Sequence, residues 1–139
     1  MYLIDTDVVS ALRRPDRNPE IVGWVAAQRA ADLYLSVVTV GEIERGIARQ
    51  RSRDPAFADR LGVWLDSLLR LYADCILPVD TAVARRWGCL TGEHGHGSPD
   101  LLIAATALEH GLTVVTRHVR HFEPTGVAAL DPSTHSYKP

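Results

Sequence analysis

The chain has 139 residues and a formal net charge of −2, with 46% hydrophobic and 23% charged residues. That size and balance suit one globular domain with a proper core, and no apolar run approaches the roughly 20 residues that span a bilayer. The slight negative charge excludes the global basic field of a non-specific nucleic-acid binder. Lys138 is the only lysine, which excludes chemistry built on a central lysine such as a phosphate-binding P-loop.

Tyr2-Leu3-Ile4 is a short apolar run that meets an acid at Asp5 and reads as a first strand. With no basic segment before it, this N-terminus does not read as a signal peptide, and a cytoplasmic protein is expected. Thr6 or Asp7 can cap a short helix over Val8 to Leu12, broken at Arg13-Arg14-Pro15-Asp16. Ile21, Val22, Trp24, Val25 and Ala26 form a helical stripe, and Leu33 to Val37 reads as a second strand. Thr39 opens a helix to about Gln50. Phe57, Leu61, Trp64, Leu65, Leu68, Leu69 and Tyr72 recur at three- and four-residue steps, the mark of a long amphipathic helix.

Ile76 to Val79 is a third strand, and Asp80 caps a helix through Val83, Ala84, Trp87 and Leu90. Gly92-Glu93-His94-Gly95-His96-Gly97 reads as a flexible loop. Ser98-Pro99-Asp100 opens the next helix with a cap, a proline at the first position and an acid in the first turn. It closes at His110-Gly111. Leu112 to Thr116 is a fourth strand and Val127 to Leu130 a possible fifth. Cys75 and Cys89 form no CxxC motif and read as two buried, reduced thiols. The tryptophans Trp24, Trp64 and Trp87 fall on apolar helical faces and read as core or interface.

Short apolar strands alternating with helices indicate an α/β fold, a parallel sheet covered on both faces. Ligands in such folds sit beyond the C-terminal ends of the strands. Asp5 and Thr116 end strands there, and Glu42 and Asp100 are expected in the first turns of helices that follow loops, so all four can reach one rim. Each acid also has an ordinary structural reading. Asp5 can cap a turn, Glu42 stands three residues after Thr39 as in a capping box, and Asp100 can face a helix dipole. Their combination is more informative. Carboxylates brought together repel unless a cation neutralises them. Oxygen donors without cysteine favour Mg²⁺ or Mn²⁺, and such a site suits phosphodiester hydrolysis.

The stretches Tyr2-Leu3-Ile4-Asp5-Thr6-Asp7-Val8-Val9-Ser10, Ser36-Val37-Val38-Thr39-Val40-Gly41-Glu42, Pro99-Asp100-Leu101-Leu102-Ile103-Ala104-Ala105-Thr106-Ala107 and Val114-Val115-Thr116-Arg117-His118-Val119-Arg120-His121-Phe122 resemble, in order and spacing, PIN-domain proteins of the VapC toxin class. The resemblance implies a three-layer α/β/α sandwich with a central parallel sheet, over residues 1–132, followed by a tail at 133–139. It implies that Asp5 and Asp100 ligate a divalent metal, that Glu42 is a ligand or a base orienting water, and that Thr116 adds a hydroxyl to the rim. It implies a metal-dependent endoribonuclease acting on tRNA or ribosomal RNA. A homodimer and a cognate antitoxin covering the site are also implied.

The final motif departs from the family pattern. His118 and His121 stand where the family usually has Asn or Asp and then Asp. A neutral imidazole binds metal but brings no negative charge, so Mg²⁺ binding is expected to weaken and Mn²⁺ or Zn²⁺ to gain. Either histidine is then a candidate metal ligand, and Asp7 a partial substitute for the missing acid. The alternative is a degenerate PIN domain that only binds RNA or antitoxin. His94-x-His96 with His118-x-x-His121 fits no standard zinc spacing, and a solvated loop accounts for His94 and His96. Arg45, Arg49, Arg51 and Arg53, with Arg117 and Arg120, are either a solvated face or guides for an RNA backbone.

Overall fold

The computed structural model describes residues 1–134. Residues 135–139, with His135, Lys138 and most of the expected tail, lie outside the described residues. The strands are β1 (Tyr2–Ile4), β2 (Leu33–Ser36), β3 (Ile76–Leu77), β4 (Thr113–Val115) and β5 (Ala129–Leu130). They form one sheet in the order β3-β2-β1-β4-β5. Every pairing is parallel.

The helices are α1 (Thr6–Ala11), α2 (Pro19–Ala26), α3 (Val37–Arg51), α4 (Pro55–Leu71), α5 (Thr81–His94), α6 (Pro99–His110) and α7 (Val119–Phe122). Because side chains alternate across a strand, each strand feeds two cores. Ile4, Leu35 and Val115 pack with α1 to α4. Leu3 and Val114, one residue earlier in their strands, pack with α5, α6 and α7. The result is the expected three-layer α/β/α arrangement. The chain proceeds outward from β1 to β2 and β3, then returns to the other side of β1 for β4. The β1–β4 junction is therefore the switch point, where a crevice forms beyond the strand ends.

Several local expectations change. Asp5, rather than Thr6 or Asp7, caps α1, its Oδ1 accepting the Thr6 N–H at 2.9 Å. Ser36 caps α3 by accepting the Val38 N–H, so that helix begins at Val37, ahead of Thr39. Helix α5 continues through Gly92 to His94 and stops at Gly95, whose φ of 71° suits glycine. The flexible loop is shorter than expected for that reason. The turn α7 was masked in the sequence by its four-residue length.

Cys75 and Cys89 are free, as expected, but Cys89 is exposed and Cys75 only half-buried. Trp24 is buried edge-to-face against Tyr2, with ring centroids 4.9 Å apart. Trp64 and Trp87 pack against opposite cores. No helix among the described residues is long and apolar enough to cross a membrane.

Candidate active site

The site grows from the switch point. Asp5 follows β1 directly and Thr116 follows β4, and these neighbouring strands bring together residues 111 positions apart. The Thr116 hydroxyl donates to Asp5 Oδ2 at 2.9 Å, and both residues are buried. With Oδ1 held by the Thr6 N–H, the Asp5 carboxylate is fixed in orientation. The Thr116 hydroxyl also accepts the His118 N–H at 2.9 Å, which bends the chain after β4 toward the site.

Burial is the main reason the Asp5 carboxyl is pushed up to about 6 from its ordinary 3.8. The carboxylates of Asp100 and Asp7 add to that rise, while the bonds from Thr116 and Thr6 oppose it. Asp100, in the first turn of α6, thus reaches the same rim as Asp5. Among the described residues Asp5 has no ion-pair partner.

Glu42 joins from α3 in a way the sequence did not announce. Since Ser36 takes the cap, Thr39 and Glu42 lie deeper in the helix and form no capping box. Glu42 Oε1 instead accepts the Thr6 hydroxyl at 2.7 Å. Thr6 Oγ1 also lies 2.9 Å from Thr39 Oγ1. A hydroxyl carries one proton and a carboxylate can only accept, so Thr39 donates to Thr6 and Thr6 to Glu42. Thr6 therefore holds Asp5 through its backbone and Glu42 through its side chain. The alternation Asp5-Thr6-Asp7 in the sequence was the available hint of it.

Asp7 does not stand in for a missing acid. The Arg117 guanidinium grips it with both arms, Nε to Oδ2 at 2.8 Å and Nη2 to Oδ1 at 2.6 Å. The hydrogen bond from Arg117 holds the Asp7 carboxyl below its ordinary range. Arg117 thus spends two of its donors on Asp7, and Arg51 pairs with Asp59 at the surface.

The two histidines lie flat against each other, with ring centroids 5.2 Å apart and planes 12° from parallel. His121 Nδ1 is 3.3 Å from Asp100 Oδ2, and His118 Nε2 is 3.8 Å from Asp7 Oδ2. The structure thus brings His121 to the Asp100 carboxylate and His118 to the Asp7–Arg117 pair. His94 and His96 are 6.5 Å apart by ring centroid. Among the described residues no three His, Cys, Asp or Glu side chains form a ready metal cage. The chemistry of the donors still fits a hard divalent cation. The Asp5 carboxylate is buried without an ion-pair partner among the described residues and feels the charge of the Asp100 carboxylate, and both acids offer oxygen donors.

The PIN-domain family model matches residues 2–123. Toxin FitB of Neisseria gonorrhoeae is 36% identical over 95% of this chain and 98% of its own length. The VapC ribonuclease Y4jK of Sinorhizobium fredii is 33% identical over 95% of this chain and 97% of its own length. A solved structure of FitAB bound to a DNA fragment superimposes with a TM-score of 0.85 at 33% identity, covering 100% of both chains.

Proposed function

This chain belongs to the PIN-domain family, and from that premise we propose that it is a divalent-metal-dependent endoribonuclease, the toxin of a type II toxin–antitoxin pair. Support comes from relatives named as a toxin and as a VapC ribonuclease that match nearly the whole chain. The observation that carries the reading is the buried Asp5 carboxylate, oriented by Thr116 across the switch point and without an ion-pair partner among the described residues.

In this reading Asp5 and Asp100 hold Mg²⁺ or Mn²⁺, with Glu42 as a further ligand or as the base that orients water. Bound there, the cation supplies Lewis-acid polarisation of the scissile phosphoryl group. The protein's own contribution is positional. Thr116 and the Thr6 N–H fix both oxygens of Asp5, and the Thr6 hydroxyl fixes Glu42. His121 stands beside Asp100 as a candidate imidazole ligand, and His118 is a more distant one. The nuclease unit is residues 1–132. It works in the cytoplasm as a homodimer, on tRNA or ribosomal RNA, and is silenced by its cognate antitoxin. The solved FitAB complex on a DNA fragment supports a DNA-bound toxin–antitoxin pair.

The binding-only alternative is less favoured, because Asp5, Glu42 and Asp100 are all retained. The test is a ribonuclease assay on antitoxin-free protein with structured RNA and Mg²⁺, Mn²⁺ or Zn²⁺. Cleavage that stops in EDTA and in Asp100→Asn is expected. RNA left intact with every metal overturns the enzymatic reading in favour of the binding module.

A further inference from the structure

A narrow cleft of about 270 Å³ leads away from the acids between α1, α3 and α4. Thr6 and Glu42 form one end of it, so the hydrogen bond that positions Glu42 is also a wall of the cleft. Phe57 and Trp64 line its apolar part, and Gln50 supplies an amide. The volume lies just below the roughly 300–1,000 Å³ of small-molecule pockets, room for one flat ring system.

The rim of the cleft is cationic. The guanidinium groups of Arg13 and Arg60 lie 5.2 Å and 5.5 Å from the Phe57 ring centroid. A neighbouring basin shares Gly46 and Gln50 with the cleft and adds Arg49 and Arg53. Among the described residues neither Arg13, Arg49 nor Arg53 forms an ion pair. Glu42, Gly46 and Arg49 or Gln50 follow one another at helical steps along α3. The acidic end and the basic end are therefore about 10 Å apart along the axis.

We infer that this cleft is a nucleotide subsite, taking one base of single-stranded RNA beside the scissile phosphate while Arg13, Arg49 and Arg53 meet the flanking phosphates. This rests on the nuclease reading for the position of the scissile bond. Trp64 as a stacking face, with Arg49 and Arg53 along one edge free of ion pairs among the described residues, is a combination that single-stranded nucleic acid uses. A purely apolar occupant would leave those arginines unanswered, and the cleft ends at Glu42, one of the acids of the site.

Gly46 offers a clean test. It sits on α3, is exposed, and a Cβ there would meet nothing within 4 Å. Replacing it favours the helix, so Gly46→Leu fills the cleft in a folded protein, which a melting curve verifies. The probe is a fluorescent single-stranded RNA of random sequence, with binding followed by anisotropy at low salt in EDTA, so that nothing is cut. Gly46→Leu is expected to weaken binding about tenfold, the loss of one stacked base, while Gly46→Ala stays within about twofold of the wild type. Abasic positions in the RNA should weaken wild-type binding and leave Gly46→Leu indifferent. Equal affinity of Gly46→Leu and wild type overturns the subsite, as does absence of RNA binding by the wild type. Loss of antitoxin binding by Gly46→Leu with RNA affinity unchanged also overturns it, and assigns the cleft to a protein side chain. RNA binding lost in Gly46→Leu, from a wild type that cleaves nothing with metal, keeps the subsite and sinks the nuclease reading instead.

Discussion

Two carboxylates at the same strand end, Asp5 and Asp7, meet opposite surroundings. Asp7 lies toward the surface in a two-armed pair with Arg117, and its carboxyl is held below the ordinary range. Asp5 is buried, is answered only by a hydroxyl and a backbone N–H, and is pushed up to about 6. One acid is compensated within the protein and the other is left for something the protein must acquire. The region around Asp7 and Arg117 is built for the fold. Asp5, on the side of Asp100 and Glu42, keeps a buried carboxylate without an ion-pair partner among the described residues, at a cost to the fold, as functional sites commonly do.

The strongest way to break this contrast is Asp5→Asn. Cleavage should fall by about a thousandfold or more if Asp5 holds the metal. Stability should move the other way. Asp5 has a raised native pKa, so it loses nothing below pH 3.8, where both states are protonated, and stability falls as pH rises through about 6. A shift of that size corresponds to at most about 3 kcal/mol at neutral pH. Asp5→Asn should therefore melt up to roughly 10 °C higher than wild type at pH 8, with the gain gone by pH 4. Thermal melts across that range decide it. A variant that is less stable at pH 8 would mean that burial of Asp5 carries no cost.

A lesser effect is expected at Thr6, which links the two sides of the site. Thr6→Val keeps the backbone bond to Asp5 and removes the hydroxyl from Glu42. Loss of such an orienting partner should lower activity or metal affinity roughly tenfold to a hundredfold. Metal titrations of cleavage would show it. Wild-type behaviour would mean that Glu42 needs no positioning.

The sequence carried the fold well, because each short apolar strand and each amphipathic stripe is a local pattern. It carried the acids Asp5, Glu42 and Asp100 as types and positions. It was less informative about how they are held. Glu42 three residues after Thr39 matches a capping box, but Ser36 takes the cap, and only the folded chain shows Glu42 turned to Thr6. The Asp7–Arg117 pair joins residues 110 positions apart, a contact set by β1 lying beside β4. No local pattern reports it, and without it Asp7 reads as a spare ligand.

His121 sharpens the contrast from the uncompensated side. It stands 3.3 Å from Asp100 where the family pattern has an acid. His121→Asp adds a carboxylate to the cluster and should improve Mg²⁺-supported cleavage by several-fold to about tenfold, while reducing any preference for Zn²⁺. Rates with each metal over a concentration series would test this. An unchanged metal preference would remove His121 from the site.

The smallest effect belongs to the compensated acid. The Asp7 and Arg117 side chains are 23% and 38% exposed, so solvent screens the pair, and a double-mutant cycle of Asp7→Asn and Arg117→Ala should give a coupling of about 1 kcal/mol. Cleavage should stay within a few-fold of wild type, since Asp7 is already answered by Arg117. The pH dependence separates this acid from Asp5. Asp7 has a lowered native pKa, so its stabilisation is present above the ordinary 3.8 and is lost as pH falls through the native value. Asp7→Asn should therefore be less stable than wild type at pH 7, where Asp5→Asn is more stable, and both differences should fade in acid. If Asp7→Asn instead gained stability at neutral pH, the two acids would share one environment and the division between a compensated edge and an uncompensated site would fail.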